Sequence, residues 1–260
     1  MRRLALAEIH AHPDYSRSLD LARRVSAQME GKTFHHYFHV LYVLRLILGS
    51  GHRTYVEIGS YHGASAALML MAPCPTTICC VDTLDLDPAH WGRAPDRRQE
   101  DILYDNLRRF MAGGPSEAII VNGNSRDSVE TVRRIAASGV DLLFIDGDHR
   151  LDEVLLDFAQ YAPMVNPGGF VVFDDYDDPL WSPEVRIAVD RIASGCGDGW
   201  NVVGLVEDRL AIQDGYKGNE FIIQKLARAN VANGLWPDPP ATGPSVCGGR
   251  EPSVRRVART

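Results

Sequence analysis

From Tyr55 onward the chain repeats one unit, a short apolar run of strand length followed by a segment with helical spacing. The runs fall at Tyr55–Ile58, Thr77–Val81, Ala118–Val121, Val140–Ile145 and Phe170–Phe173. Helices are predicted between them near Ala64–Met71, Arg98–Met111, Arg126–Ala137 and Leu151–Tyr161. The last carries an apolar stripe at Leu151, Val154, Leu155, Phe158 and Ala162, spaced as one buried helix face. Such alternation demands parallel strands joined by helical crossovers, so the prediction is a doubly wound α/β sheet covered on both faces. A helix at Glu184–Ala193 and strands at Asn201–Val206 and Glu220–Gln224 follow, with Asp208–Gln213 a short further strand candidate. No helical pattern separates those strands, which predicts an antiparallel hairpin at the sheet edge.

The flanks read differently. Residues 1–50 read as helices, Ser16–Met29 and the strongly apolar Phe34–Leu48, and are expected to act as a cap or an oligomerisation segment. Residues 227–260, rich in Gly, Pro, Ala and Arg, read as a disordered tail. The core domain is therefore placed at 51–226. His35 and His39 stand one helical turn apart, but no cysteine or acid nearby completes a zinc set; a lid, an interface or a plain core helix fits better. A formal net charge of -7 argues against a nucleic-acid surface. No stretch approaches the roughly 20 apolar residues of a membrane span. The five cysteines show no paired metal or redox spacing, and Cys79 and Cys80 are expected to face opposite sides of one strand. A reduced cytoplasmic protein is the expectation.

The strand ends carry the chemistry. Leu142–Ile145 runs into Asp146, with His149 three residues on, and Phe170–Phe173 runs into Asp174 and Asp175. Ligands of open α/β sheets bind at the carboxyl ends of the strands. Three carboxylates converging there would repel one another unless something positive sat among them, and a hard divalent cation is the simplest candidate. The alternative is a helix-cap and loop role for the three. After the first strand, Glu57, Gly59, Ser60 and Gly63 make a glycine turn that could admit a ligand or be only a turn. Asp82 ends the second strand, where an acid can hold a ribose diol. Asp85 and Asp87 read as a solvated loop, and Asn124 or Ser125 as a cap, a ligand contact, or both.

Together these stations resemble the class I S-adenosylmethionine-dependent methyltransferases, a Rossmann-like family, over about residues 50–226. Tyr55–Ser65 is similar to the first glycine motif of the catechol O-methyltransferase group, and Gly123–Asp127 to its adenine-contacting turn, with Ser125 at the contacting position. Asp146 matches that group's first metal-binding aspartate. The adjacent pair Asp174-Asp175 and the Asp-x-x-His spacing of Asp146 and His149 are closer to the sugar O-methyltransferases of macrolide and aminocoumarin biosynthesis. The resemblance implies S-adenosylmethionine across the strand ends, contacted by Glu57, Gly59, Ser60, Gly63, Asp82, Ser125 and Asp146. It implies Mg²⁺ on Asp146, Asp174 and Asp175, and His149 as the base where the catechol enzymes place a lysine. His149 could instead cap or pack at the next helix. The implied reaction is O-methylation of a small molecule, first a sugar of a glycosylated natural product; the apolar helix Phe34–Leu48 suggests either a homo-oligomer contact or a cover over the acceptor. Rival readings are a hydroxylase-like or other Rossmann-like enzyme on the same donor-binding fold, and a non-catalytic donor-binding partner subunit.

Overall fold

The five apolar runs become parallel strands β1 (Arg53–Ile58), β2 (Thr76–Asp82), β3 (Glu117–Asn122), β4 (Val140–Ile145) and β5 (Val165–Phe173). The computed structural model describes residues 2–31, 38–85, 97–111, 114–206, 219–226 and 251–259. Helices α1 (Leu6–His10), α2 (Tyr15–Gln28) and α3 (His39–Ile47) precede the sheet. Within it, α4 (Ala64–Leu70), α5 (Gln99–Met111), α6 (Ser125–Ile135) and α7 (Leu151–Tyr161) lie between successive strands. After β5 come α8 (Pro183–Gly195), β6 (Trp200–Val206), β7 (Glu220–Lys225) and β8 (Ser253–Arg256). The strand order is β6-β7-β5-β4-β1-β2-β3-β8. β7 runs antiparallel between β5 and β6, so the expected edge hairpin is present, with its second strand inside its first.

Period-2 alternation sorts side chains between the two layers. Tyr55, Ile78, Cys80, Phe144 and Val172 pack against α2, α3 and α4, while Val56, Cys79, Ile145 and Phe173 pack against α6, α7 and α8. Cys79 and Cys80 thus face opposite layers, as expected. On α7 the buried face is Val154, Phe158 and Tyr161, with Leu151 and Leu155 only partly covered and Asp157 buried among them.

Helix α3 is buried along His39–Arg45 by its own chain, so its apolar length is used within the domain core. Two polar side chains, His39 and Arg45, are buried with it. Arg45 donates to Thr76 Oγ1 (2.7 Å) and to the carbonyls of Gly49 (2.7 Å), Gly51 (2.9 Å) and Pro75 (2.9 Å), stapling the end of α3 to the start of β2. His39 meets Tyr15 edge-on, which agrees with a core helix. His35 lies outside the described residues, as do the strand candidate at 208–213 and Asp87.

The expectation of a disordered tail over 227–260 is corrected at its end. Residues 227–250 lie outside the described residues, but Ser253–Arg256 pairs antiparallel with β3 and closes that edge of the sheet. Val257 is buried beyond it, and Arg256 pairs with Glu117 at 2.9 Å.

Candidate active site at the sheet switch point

The chain order reverses between β1 and β4, which are neighbours in the sheet; open α/β folds bind ligands in the crevice at such a point. The Asp146 amide donates to Ile58 O (2.9 Å), locking the two strand ends together. Gly59 follows with φ +86°, and a Cβ there would lie 1.8 Å from the Asp146 carbonyl oxygen. Its lack of a side chain makes room for β4 rather than for a ligand, and so sets where Asp146 stands. Gly63, at the N-cap of α4 with φ +84°, similarly leaves room for Leu103 of α5.

The acids at β1 and β2 hold this turn. Asp82 accepts the amides of Tyr61 and Leu84, both at 2.7 Å. Burial raises its pKa, and those amides with that of Ser60 oppose the rise. Glu57 is fully buried and accepts from Tyr55 Oη (2.6 Å) and Ser65 Oγ (2.7 Å). Burial raises its pKa too; Ser60 Oγ is near enough to ease that shift but outside hydrogen-bond geometry, leaving it and Glu57 Oε1 without partners. Two orphaned polar atoms at the end of β1 fit a ligand with a polar head, such as the amino-acid end of S-adenosylmethionine. Ser125 opens α6 beside this crevice. Its carbonyl accepts from Tyr161 Oη (2.6 Å), and Asn124 supplies the cap by accepting the Arg126 amide (2.9 Å).

A second group assembles at the ends of β4 and β5. In a continued strand Asp174 and Asp175 would face opposite sides. Asp175 instead adopts φ +56°, a left-handed conformation, and both carboxylates bear on Asp146. Burial raises the pKa of Asp146 well above the carboxylate range, and the charge of Asp175 adds to it; burial and then Asp146 do the same to Asp174. Atoms of Asp146, His149 and Asp175 lie within 4.8 Å of one another, a spacing that could hold a metal ion. His149 Nε2 is 3.4 Å from Asp146 Oδ1 and Nδ1 is 3.4 Å from Asp175 Oδ2. Cis ligands on one ion with bonds near 2.1 Å are about 3 Å apart, so these donors fit a cation after small adjustment. Asp174, expected among the ligands, falls outside that group: its amide donates to Ile145 O (3.1 Å) and its Oδ1 has no partner. His149 caps nothing, since Arg150 holds the N-cap of α7.

Two residues that sequence reasoning did not single out belong here. Ser182 places Oγ 2.7 Å from His149 Nδ1 and donates to Asp175 Oδ2 at 2.9 Å. Its signal in the sequence, Ser-Pro-Glu before an amphipathic run, reads only as a helix start. Asp157, on α7, is 2% exposed and faces Ser125. Burial pushes its pKa up to about 7, with the Ser125 hydroxyl opposing, and its Oδ1 has no partner. A lone acid between Leu156 and Phe158 was the available clue. The other acids are accounted for: Asp148 pairs with Arg150 (2.7 Å), Asp177 with Arg186 (3.0 Å), and Asp178 Oδ1 holds the amides of Leu180 and Trp181 (2.9 and 3.1 Å). Leu180 and Trp181 are 66% and 69% exposed beside the site.

Known proteins share this plan. A methyltransferase-domain family profile matches residues 56–176. The uncharacterized protein R132 of Acanthamoeba polyphaga mimivirus is 34% identical over 173 residues, 66% of this chain and 74% of that one. Among solved structures, the O-methyltransferase TomG of Streptomyces achromogenes, involved in tomaymycin synthesis and bound to S-adenosylmethionine, aligns with TM-score 0.54. That match has 14% identity and covers 83% of this chain and 90% of TomG. An O-methyltransferase from Bacillus cereus bound to S-adenosylhomocysteine also gives 0.54, at 18% identity over 80% of this chain and 91% of that one.

Proposed function

As the chain belongs to the class I S-adenosylmethionine-dependent methyltransferases, we propose that it methylates a hydroxyl of a small molecule, with a divalent cation, Mg²⁺ first, at the acid cluster. The acceptor we favour is a diol on a sugar of a glycosylated natural product. The observation that carries this reading is the meeting of Asp146, His149 and Asp175 at the switch point, beside the turn of Glu57–Gly63.

S-adenosylmethionine, when bound, supplies an electrophilic methyl group, and the cation, when bound, orients acceptor oxygens and makes a hydroxyl more acidic. Glu57, Ser60 and Asp82 bind and orient the donor; Ser125 meets its adenine. Asp146 and Asp175 would hold the cation. His149 Nε2 accepts the hydroxyl proton as the oxygen takes the methyl group and the sulfur keeps the C–S electron pair. Positioning supplies much of the rate, because two substrates must meet in line. No helix among the described residues is long and apolar enough to cross a membrane.

Calorimetry with S-adenosylhomocysteine, with and without Mg²⁺, tests the proposal. Binding is expected in both conditions, and absence of binding at high micromolar ligand would sink it. A methyl-transfer screen over sugar and catechol diols should give EDTA-sensitive turnover. His149→Ala should lower that turnover by about 10²- to 10⁴-fold, the usual worth of a general base. Turnover indifferent to EDTA would remove only the metal.

A further inference from the structure

Ser182 stands at the N-cap of α8, where a serine hydroxyl ordinarily accepts an amide of the first helical turn. It makes no such bond. The residue is 1% exposed, and its Oγ is committed to Asp175 Oδ2 (2.9 Å) and His149 Nδ1 (2.7 Å). We propose that Ser182 is a positioning residue that fixes His149 as the Nδ1–H tautomer, so that the Nε2 lone pair faces Asp146 and the acceptor side of the site.

The proton count leads to this assignment. A serine hydroxyl has one proton to give and lone pairs to receive. A carboxylate only accepts, so the serine proton goes to Asp175. The bond between Ser182 Oγ and His149 Nδ1 must then be donated by the imidazole. The opposite arrangement, with the serine proton on Nδ1, sets Ser182 Oγ and Asp175 Oδ2 face to face as two acceptors at 2.9 Å. Carboxylate oxygens stand equally far from the two ring nitrogens, Asp175 Oδ2 3.4 Å from Nδ1 and Asp146 Oδ1 3.4 Å from Nε2, so the choice between tautomers falls to the serine hydroxyl. With Nδ1 protonated, a neutral ring has its free lone pair on Nε2, the nitrogen 3.4 Å from Asp146 Oδ1. An Nε2–H ring would have no lone pair there to take a proton or to meet a cation.

The backbone holds Ser182 in place independently of its side chain. The Ser182 amide donates to Asp178 O (3.2 Å), and the buried Asp178 carboxylate gathers the two amides before it. A fixed hydroxyl of this kind selects a histidine tautomer in the way outer partners of metal-site histidines do.

The catalytic consequence rests on the methyl-transfer reading, but the tautomer does not. Long-range ¹H–¹⁵N correlation on ¹⁵N-histidine protein, in EDTA and on the alkaline side of imidazole titration, reads it directly. His149 is assigned by its loss in His149→Gln. The expected wild-type signature is a protonated Nδ1 and a bare Nε2. Ser182→Ala should move the ring wholly or partly to Nε2–H, and Ser182→Thr, which keeps the hydroxyl, should restore the wild-type pattern. An Nε2–H ring in the wild type, or an unchanged ring in Ser182→Ala, overturns the proposal. Failure of S-adenosylhomocysteine to bind would instead count against the enzyme reading, so the two fall separately.

Discussion

Asp157 shows what a single buried carboxyl does to the molecule around it. Burial, helped by the charges of Glu153 and Asp148, outweighs the Ser125 hydroxyl and Arg126 and brings its pKa up to about 7. The folded state therefore keeps a proton that the unfolded chain releases near pH 4. Stability from this group is fully present below the unfolded pKa and is lost as pH rises through about 7. Asp157→Asn should remove that loss. Thermal unfolding at pH 5 and pH 8 should show the wild type weakening by up to about 2.7 kcal/mol more than the variant, roughly 1.4 kcal/mol for each of the about two pKa units between pH 5 and the folded value. Equal pH dependence in the two proteins would mean that Asp157 is ionised throughout. Because Asp157 faces Ser125, the variant also reports on the turn assigned to adenine: affinity for S-adenosylhomocysteine should lose its pH dependence in the same window.

At the scale of elements, the turn after β1 and the strand β8 carry the most consequence. Gly59→Ala would put a methyl group into the Asp146 carbonyl, in a backbone conformation that alanine disfavours. Strain and overpacking together should cost about 2–5 kcal/mol, seen as a lowered melting temperature. β8 covers the outer edge of β3, and Pro252 packs against Gly123 at the turn before α6. Removing residues 251–260 should therefore lower stability and weaken S-adenosylhomocysteine binding together; a loss of stability alone would separate β8 from the donor site. These two elements differ in how far the sequence announces them. β1 to β5 and their helices are legible because each apolar run is long enough to be buried on both faces, and Val140–Ile145 and Leu151–Tyr161 match their predicted bounds. β8 is not legible, because Ser253-Val254-Arg255-Arg256 has no apolar period and draws its stability from β3 rather than from itself. The site divides along the same line. Asp146, His149 and Asp175 announce themselves at strand ends, whereas Ser182 acts through one hydroxyl at a helix start that any helix could carry, and the left-handed backbone of Asp175, with Asp174 outside the ligand group, has no signature in the sequence.

The whole molecule is a sheet that gathers acids at one edge of its crevice and leaves them in conflict. Burial and then the charge of Asp175 favour the protonated form of Asp146, with Asp174 opposing. The sign of the resulting stability effect follows from that raised pKa. The contribution is whole below the unfolded carboxyl range and is lost as pH rises through the folded value. At pH 8 and without metal the cluster therefore works against folding, and a cation bound there should reverse the penalty. Binding only to the folded state stabilises by RT ln(1 + [L]/Kd), about 2.7 kcal/mol at a hundredfold excess over Kd. Asp146→Asn separates these effects. In EDTA at pH 8 the variant should melt above the wild type, by about 1–3 kcal/mol for one relieved buried charge. Added Mg²⁺ should then raise the melting temperature of the wild type and leave the variant where it was. Equal shifts in both proteins would place the cation elsewhere. A wild type unmoved by Mg²⁺ but moved by Mn²⁺ or Zn²⁺ would make His149 a ligand rather than a base, since imidazole suits those softer ions.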